Sequence, residues 1–246
     1  GTTTINASGH NVELDEAASN FGGAVSIMGI NVAVTDANTI ELGTSTVTGT
    51  YAVTATAGNI TNSGVLTITG AATFRAANGQ SIYLNESNIF SSTVAFTTPS
   101  GNLANVTVRD TTDFYLAALT LSGDLVVTST GGSITDRGVL AISGTSSFTT
   151  STNNEVITLD VTTNAFTRAV TLNTTGSTGN AEVDGGTTQL DIAASTIGGN
   201  LRLKSGHATG ITDSGTVTVG GNLIATNDVS NGDINMGSLA VDGTIA

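Results

Sequence analysis

The chain has 246 residues, of which 19 are acidic and 6 basic, giving a net charge of -13, and it has no cysteine. So few and so scattered Lys and Arg offer no counterion-releasing surface, which argues against nucleic acid and against insertion into or binding to anionic membranes. The missing thiols exclude disulfides and Cys-held zinc, whereas 31 glycines and one proline among plentiful Val, Ile and Leu describe a chain that turns often and still buries a core.

From the amino terminus onward, apolar residues alternate with polar ones in short runs. They fall at Val12/Leu14, Val25/Ile27, Val32/Val34, Ile40/Leu42, Leu66/Ile68, Ile82/Leu84, Val94/Phe96 and Val106/Val108, each run bounded by Gly, Asn, Asp or Ser. This is the period of a strand with one buried face. The only helical hint, residues 15–18, is too short to stand alone. The longest apolar run, residues 114–119, is far short of a membrane-spanning helix.

A larger period overlies the strands. GNITNSGVLTITG at residues 58–70 returns as GSITDRGVLAISG at 132–144 and as GITDSGTVTVGG at 210–221. Placing Gly70, Gly144 and Gly221 in register gives repeats 1–69, 70–143, 144–220 and a partial 221–246. Such self-similarity marks a solenoid, so residues 1–246 are expected to form a single elongated domain.

Within the middle of the chain the apolar pairs sort into three sets. Leu125, Ser146 and Val170 begin one, Ile134, Ile157 and Ala181 a second, and Leu140, Asn164 and Leu190 a third, recurring every 21 to 26 residues. The spacing predicts an all-β parallel β-helix with about three strands per coil and three coils per repeat of about 75 residues. About ten coils would make a rod some 48 Å long, since stacked strands lie about 4.8 Å apart. Four coils of about 19 residues per repeat fit the pairs less well. A hairpin-built sandwich would need more Asn-Gly and Asp-Gly turns, and an outer-membrane barrel longer strands and more aromatics than the 4% present.

Other residues keep step with the repeat. Phe21, Phe90 and Phe166, each close behind Asn20, Asn88 and Asn164, are expected to fill corners while the Asn bonds the backbone of adjacent coils. Asp36, Asp110 and Asp184 each follow a strand. Equivalents three coils apart lie roughly 14 Å from one another and cannot share a calcium ion, so they read as corner carboxylates that accept turn N–H groups. Gly49, Gly123 and Gly199 are expected to turn the chain at positive φ. Arg109–Asp110 and Asp136–Arg137 read as corner salt bridges and not as acid–base pairs. His10 and His207 are far apart, which leaves no Ser-His-Asp arrangement. Tyr83 and Tyr115 take outward positions, where a ring could stack on a sugar, but single exposed aromatics are ordinary and the plain surface reading is preferred. Thr46/Thr48, Thr54/Thr56 and Thr67/Thr69 do not fall at the coil spacing that an ice-binding ladder requires. No groove of clustered polar residues is visible, and no catalytic, metal or cofactor-binding residue is assigned.

The strings NFGGAVSI at 20–27, VTDA at 34–37, IELG at 40–43, GNITNSG at 58–64 and GAATF at 70–74 resemble repeats of the very large filamentous-haemagglutinin-like bacterial exoproteins, over essentially residues 1–236. The resemblance implies a right-handed β-helical shaft, an extracellular location at the bacterial cell surface, and roles in adhesion, aggregation or matrix, with no catalytic residues. The amino-terminal secretion domain of two-partner-secreted members is not visible, and after Met236 the Asn-x-Phe segment is missing. The expected function is therefore the structural shaft of a secreted fibre or adhesin. Its expected partners are further coils, met by end-to-end self-association or continuation in a longer chain, and surface glycans or other cells. A carbohydrate-binding or carbohydrate-active β-helix is the alternative, followed by an ice-binding solenoid.

Overall fold

The computed structural model describes residues 1–246 and contains 31 strands and no helix. All strand pairings are parallel, and the chain winds about 11 times with about 21 residues per turn. At about 4.8 Å per turn the rod is roughly 53 Å long, one turn more than the spacing of apolar pairs predicts.

Alternation explains the interior. In Tyr51–Ala55, Tyr51, Val53 and Ala55 are buried while Ala52 and Thr54 face out, because successive side chains of a strand point to opposite faces. Stacking such strands merges their inner faces into one core of 51 apolar residues. Rings stack along it: Phe74 lies within 6.0 Å of the rings of Tyr51, Phe90 and Phe96, centroid to centroid.

Two of the predicted sets are ladders throughout. Leu125, Ser146 and Val170 are register partners, as are Ile134, Ile157 and Ala181. The third runs from Ile142 to Phe166 and stops. The chain next crosses that face near Gly186, which lies so close to the Asn164 carbonyl that a Cβ there would collide with it.

The longer strands reveal what the repeat is. Val32–Asp36, Tyr51–Ala55, Ala72–Ala76 and Val94–Thr97 stack as one ladder. Val106–Asp110, Leu125–Ser129, Ser146–Asn153 and Val170–Thr175 form a second. Ala181–Asp184, Leu201–Ser205 and Leu223–Asn227, with Ile245 bridged to Leu223, form a third. Between consecutive members the chain makes two shorter sides, such as Ile40–Leu42 and Ser45–Val47. Four long sides and three pairs of short ones make ten; at three sides to a turn, a repeat is three turns and one third.

Each repeat therefore opens on the next face of the shaft. Val106–Asp110 does not continue the ladder of Val94–Thr97 but stacks on Ile82–Phe90, and Ala181–Asp184 stacks on Ile157–Leu159. The repeat thus exceeds three coils by one side. Asp36, Asp110 and Asp184, which end the first long strand of each ladder, consequently lie on three different faces.

Candidate functional site

The corner aspartates are tied to the backbone. Asp110 is buried at the end of its strand, where one oxygen accepts from the Phe90 N–H of the preceding coil at 2.8 Å and the other from Thr112 N at 2.6 Å and Thr112 Oγ1 at 2.7 Å. Burial outweighs these bonds and pushes its carboxyl up to about 6. Asp36 repeats the arrangement with Phe21 N at 2.7 Å and Asn38 N at 2.6 Å. Asp184 departs from it: Gly186 N donates at 2.8 Å, and the second oxygen faces Lys204 Nζ at 3.4 Å.

The Asn-x-Phe segments complete these corners. Asn88 Oδ1 accepts from Leu66 N in the coil below at 3.0 Å, while its Nδ2 donates to Arg109 O in the coil above at 3.1 Å. Asn164 accepts from Leu140 N at 2.8 Å and donates to Asp136 Oδ2 at 2.7 Å. Burial raises the Asp136 carboxyl, against the bond from Asn164 and weaker approaches of the Val161 and Asp160 backbone. Phe90 and Phe166 are fully buried, whereas Phe21, in the first coil, is only partly so.

The glycine expectation needs correction. Positive φ occurs at Gly9, Gly79, Gly101, Gly176, Gly186 and Gly210, and not at Gly49, Gly123 or Gly199. The cause is close stacking: Gly70 N donates to Gly49 O at 3.0 Å and Gly144 N to Gly123 O at 3.0 Å, and a Cβ on Gly70 or Gly144 would strike the glycine below. At Gly221 it would strike Asn200 Oδ1 and the Gly199 backbone. Beside this column runs an asparagine ladder that the sequence reading missed. Asn180 Oδ1 accepts from Asn200 N, Asn200 from Asn222 N and Asn222 from Thr244 N, at 2.7 to 2.9 Å. Its signal was the Gly-Asn pair recurring at 199–200 and 221–222.

The two neighbouring Arg/Asp pairs also need correction. Neighbours on a strand point to opposite faces, so Asp110 and Asp136 are buried while Arg109 stays outside. Arg137 instead sits 3.8 Å over the ring of Tyr115, whose hydroxyl approaches Asp113 at 3.3 Å, so one face of this ring is already covered. The ion pairs that form cross between coils: Arg202 with Glu182 at 3.5 Å, and Lys204 with Asp184 at 3.4 Å and Asp228 at 2.9 Å. Threonine spacing is corrected as well, since Thr46 and Thr67 are register partners. Their column is short, running into Met28 below and Ile89 above. A longer column, Thr128, Thr149, Asn173, Thr196 and Thr218, is flanked by Val126, Ser147 and Thr171 and not by a second threonine row.

The surface is not featureless. Beside the end of the ladder at Phe166, a hollow of about 490 Å³ is lined by Thr145, Arg168, Asp191 and Asp213 among others, the last two on the paired strands Leu190–Ile192 and Ile211–Asp213. It adjoins one of about 280 Å³ that contains Phe166, Thr187, Thr188 and His207, and the two share Thr167 and Gln189. Arg168 and His207, distant in sequence, are thereby brought to one stretch of surface, contrary to the expectation of no groove. His10 lies at the other end, in the first coil. A third hollow, about 350 Å³, flanks the asparagine ladder and includes Glu182, Arg202 and Ile224.

The family described as repeats of unknown function (DUF5649) matches residues 1–28, 29–97, 103–173 and 178–238. Its second and third segments each open just before the first long strand of a ladder and close with the fourth. No curated protein matches the chain, and no solved structure does.

Proposed function

We propose that this chain, which belongs to the DUF5649 repeat family, is a stretch of structural shaft in a secreted bacterial surface fibre or adhesin, working through length and stiffness and without catalysis. The observation that carries this reading is the ten-sided repeat. Each copy adds three turns and one third, roughly 16 Å, to one uninterrupted core and leaves the next copy a face on which to start. The closely stacked glycine corners and 145 backbone hydrogen bonds support stiffness. The likeness to filamentous-haemagglutinin-like repeats supports the cell-surface assignment.

Antibody against residues 1–246, applied to intact cells and viewed by electron microscopy, tests the proposal. Label along thin surface fibres that shorten when repeats are deleted is the expected result. Label inside the cell, or fibres unchanged by deletion, overturns it.

A further inference from the structure

We propose that the break in the ladder between Ala165–Phe166 and Leu190–Ile192 is a binding groove for a neutral oligosaccharide. Below the break this face is sealed, with Leu119–Leu121 paired to Leu140–Ile142 and that strand to Ala165–Phe166. Ala165–Phe166 has no ladder partner above it. The chain passes over as a loop through Gly186, and the two joined hollows of about 490 and 280 Å³ open there. Both are open to solvent, so a ligand lying in them is held from one side.

The lining chemistry selects the ligand. Asp191 lines the larger hollow, and its Oδ1 is shielded from solvent without a hydrogen-bond donor, an arrangement folded proteins seldom leave unfilled. The nearby Asp213 is already engaged by Gly237 N and Ser238 N of the next coil. Arg168 lines the same hollow, forms no ion pair and brings only donors, and Gln189, common to both hollows, brings an amide whose Nε2 already donates to Thr212 Oγ1 at 3.2 Å, which leaves its Oε1 as an acceptor. A free carboxylate, a guanidinium and an amide in one hollow fit a ligand that donates and accepts at closely spaced points, as the adjacent hydroxyls of a pyranose do. Phosphate, sulfate or uronate groups would meet Asp191 nearby and a net charge of -13 at long range, so the ligand is neutral. Two joined hollows accommodate more than one sugar unit. A shaft has no need of such a groove, and the inference stands independently of the shaft reading.

The test is an array of short linear oligosaccharides of glucose, galactose, mannose and N-acetylglucosamine, with uronate and sulfated counterparts, probed with the 246-residue chain and with Asp191→Asn and Arg168→Ala. Both variants alter outward residues, and circular-dichroism melts matching the parent show that they fold. The expected result is retention of at least one neutral series and weakening by about tenfold or more in each variant, the loss of one charge-assisted hydrogen bond. Retention of acidic glycans alone, binding unchanged in both variants, or no binding at all overturns the proposal.

Discussion

The carboxylate of Asp110 and the backbone N–H of Phe90 lie 2.8 Å apart across two successive coils. The same bond, at 2.7 Å, joins Asp36 to Phe21 one repeat earlier and one face away. The repeat is thus recognisable as a corner in which the end of a long strand closes over the preceding phenylalanine.

That corner makes stability pH-dependent. The folded carboxyl of Asp110 titrates at about 6, above its ordinary 3.8, because burial disfavours the charge. Between those values the native state holds a proton that the unfolded chain has released, so stability falls as pH rises from about 4 to about 6 and levels off beyond. The component is of order 3 kcal/mol. Urea titrations across this range should show it in the parent chain and not in Asp110→Asn, which is weaker overall because its Nδ2 cannot accept from Phe90 N–H. Parallel pH profiles for the two proteins would contradict the assignment.

The buried rings should dominate stability. Phe90→Ala removes a fully buried side chain whose ring lies 5.9 Å from that of Phe74 and 6.3 Å from that of Phe114, and should cost about 3 to 5 kcal/mol. Phe21→Ala, only partly buried, should cost clearly less. Equal losses in denaturant melts would place the two rings in equivalent surroundings, against the structure.

Tyr51→Phe should raise stability, or leave it unchanged. Tyr51 is fully buried, its hydroxyl has no partner beyond a weak approach to Ser45, and burial holds its proton far more tightly than usual. Deleting the hydroxyl removes a desolvated group and retains the ring packed on Phe74, a gain of up to about 1 kcal/mol. A melting temperature lowered by several degrees would mean that the hydroxyl is bonded after all.

The glycine column gives an opposed pair. Gly144→Ala drives a methyl group into Gly123 of the coil below and should destabilise strongly, whereas nothing stands within 4 Å of a Cβ on Gly237. Chemical melts of the two variants should differ by more than about 2 kcal/mol. Similar melts would show that the coils are not stacked this closely.

Strand period and coil length were legible because each is set locally. Val106/Val108 and Leu125/Val127 alternate regardless of what stacks on them, and both pair as the spacing requires. The tenth side was not legible, since the stretch from Val94 to Val106 reads as one strand, a loop and the next strand. Only the ladders show that these two long strands stand on adjacent faces. Charge pairing failed at Arg109–Asp110 because sequence adjacency on a strand means opposite faces, while Lys204 found Asp184 and Asp228 in the coils on either side. The groove was hidden for a related reason: Arg168 and Asp191 share a hollow because the next coil sets Ile192 on Val170, and no motif spells out that register.

Diffraction or image analysis of aligned arrays of these repeats tests the central claim most directly, by reading the axial period of the repeat. A strand spacing near 4.8 Å with a repeat of about 16 Å, each copy turned by one third of a revolution, is the predicted result. A repeat of about 14 Å without rotation would mean nine sides and not ten, and the absence of any spacing near 4.8 Å along the axis would contradict the solenoid itself.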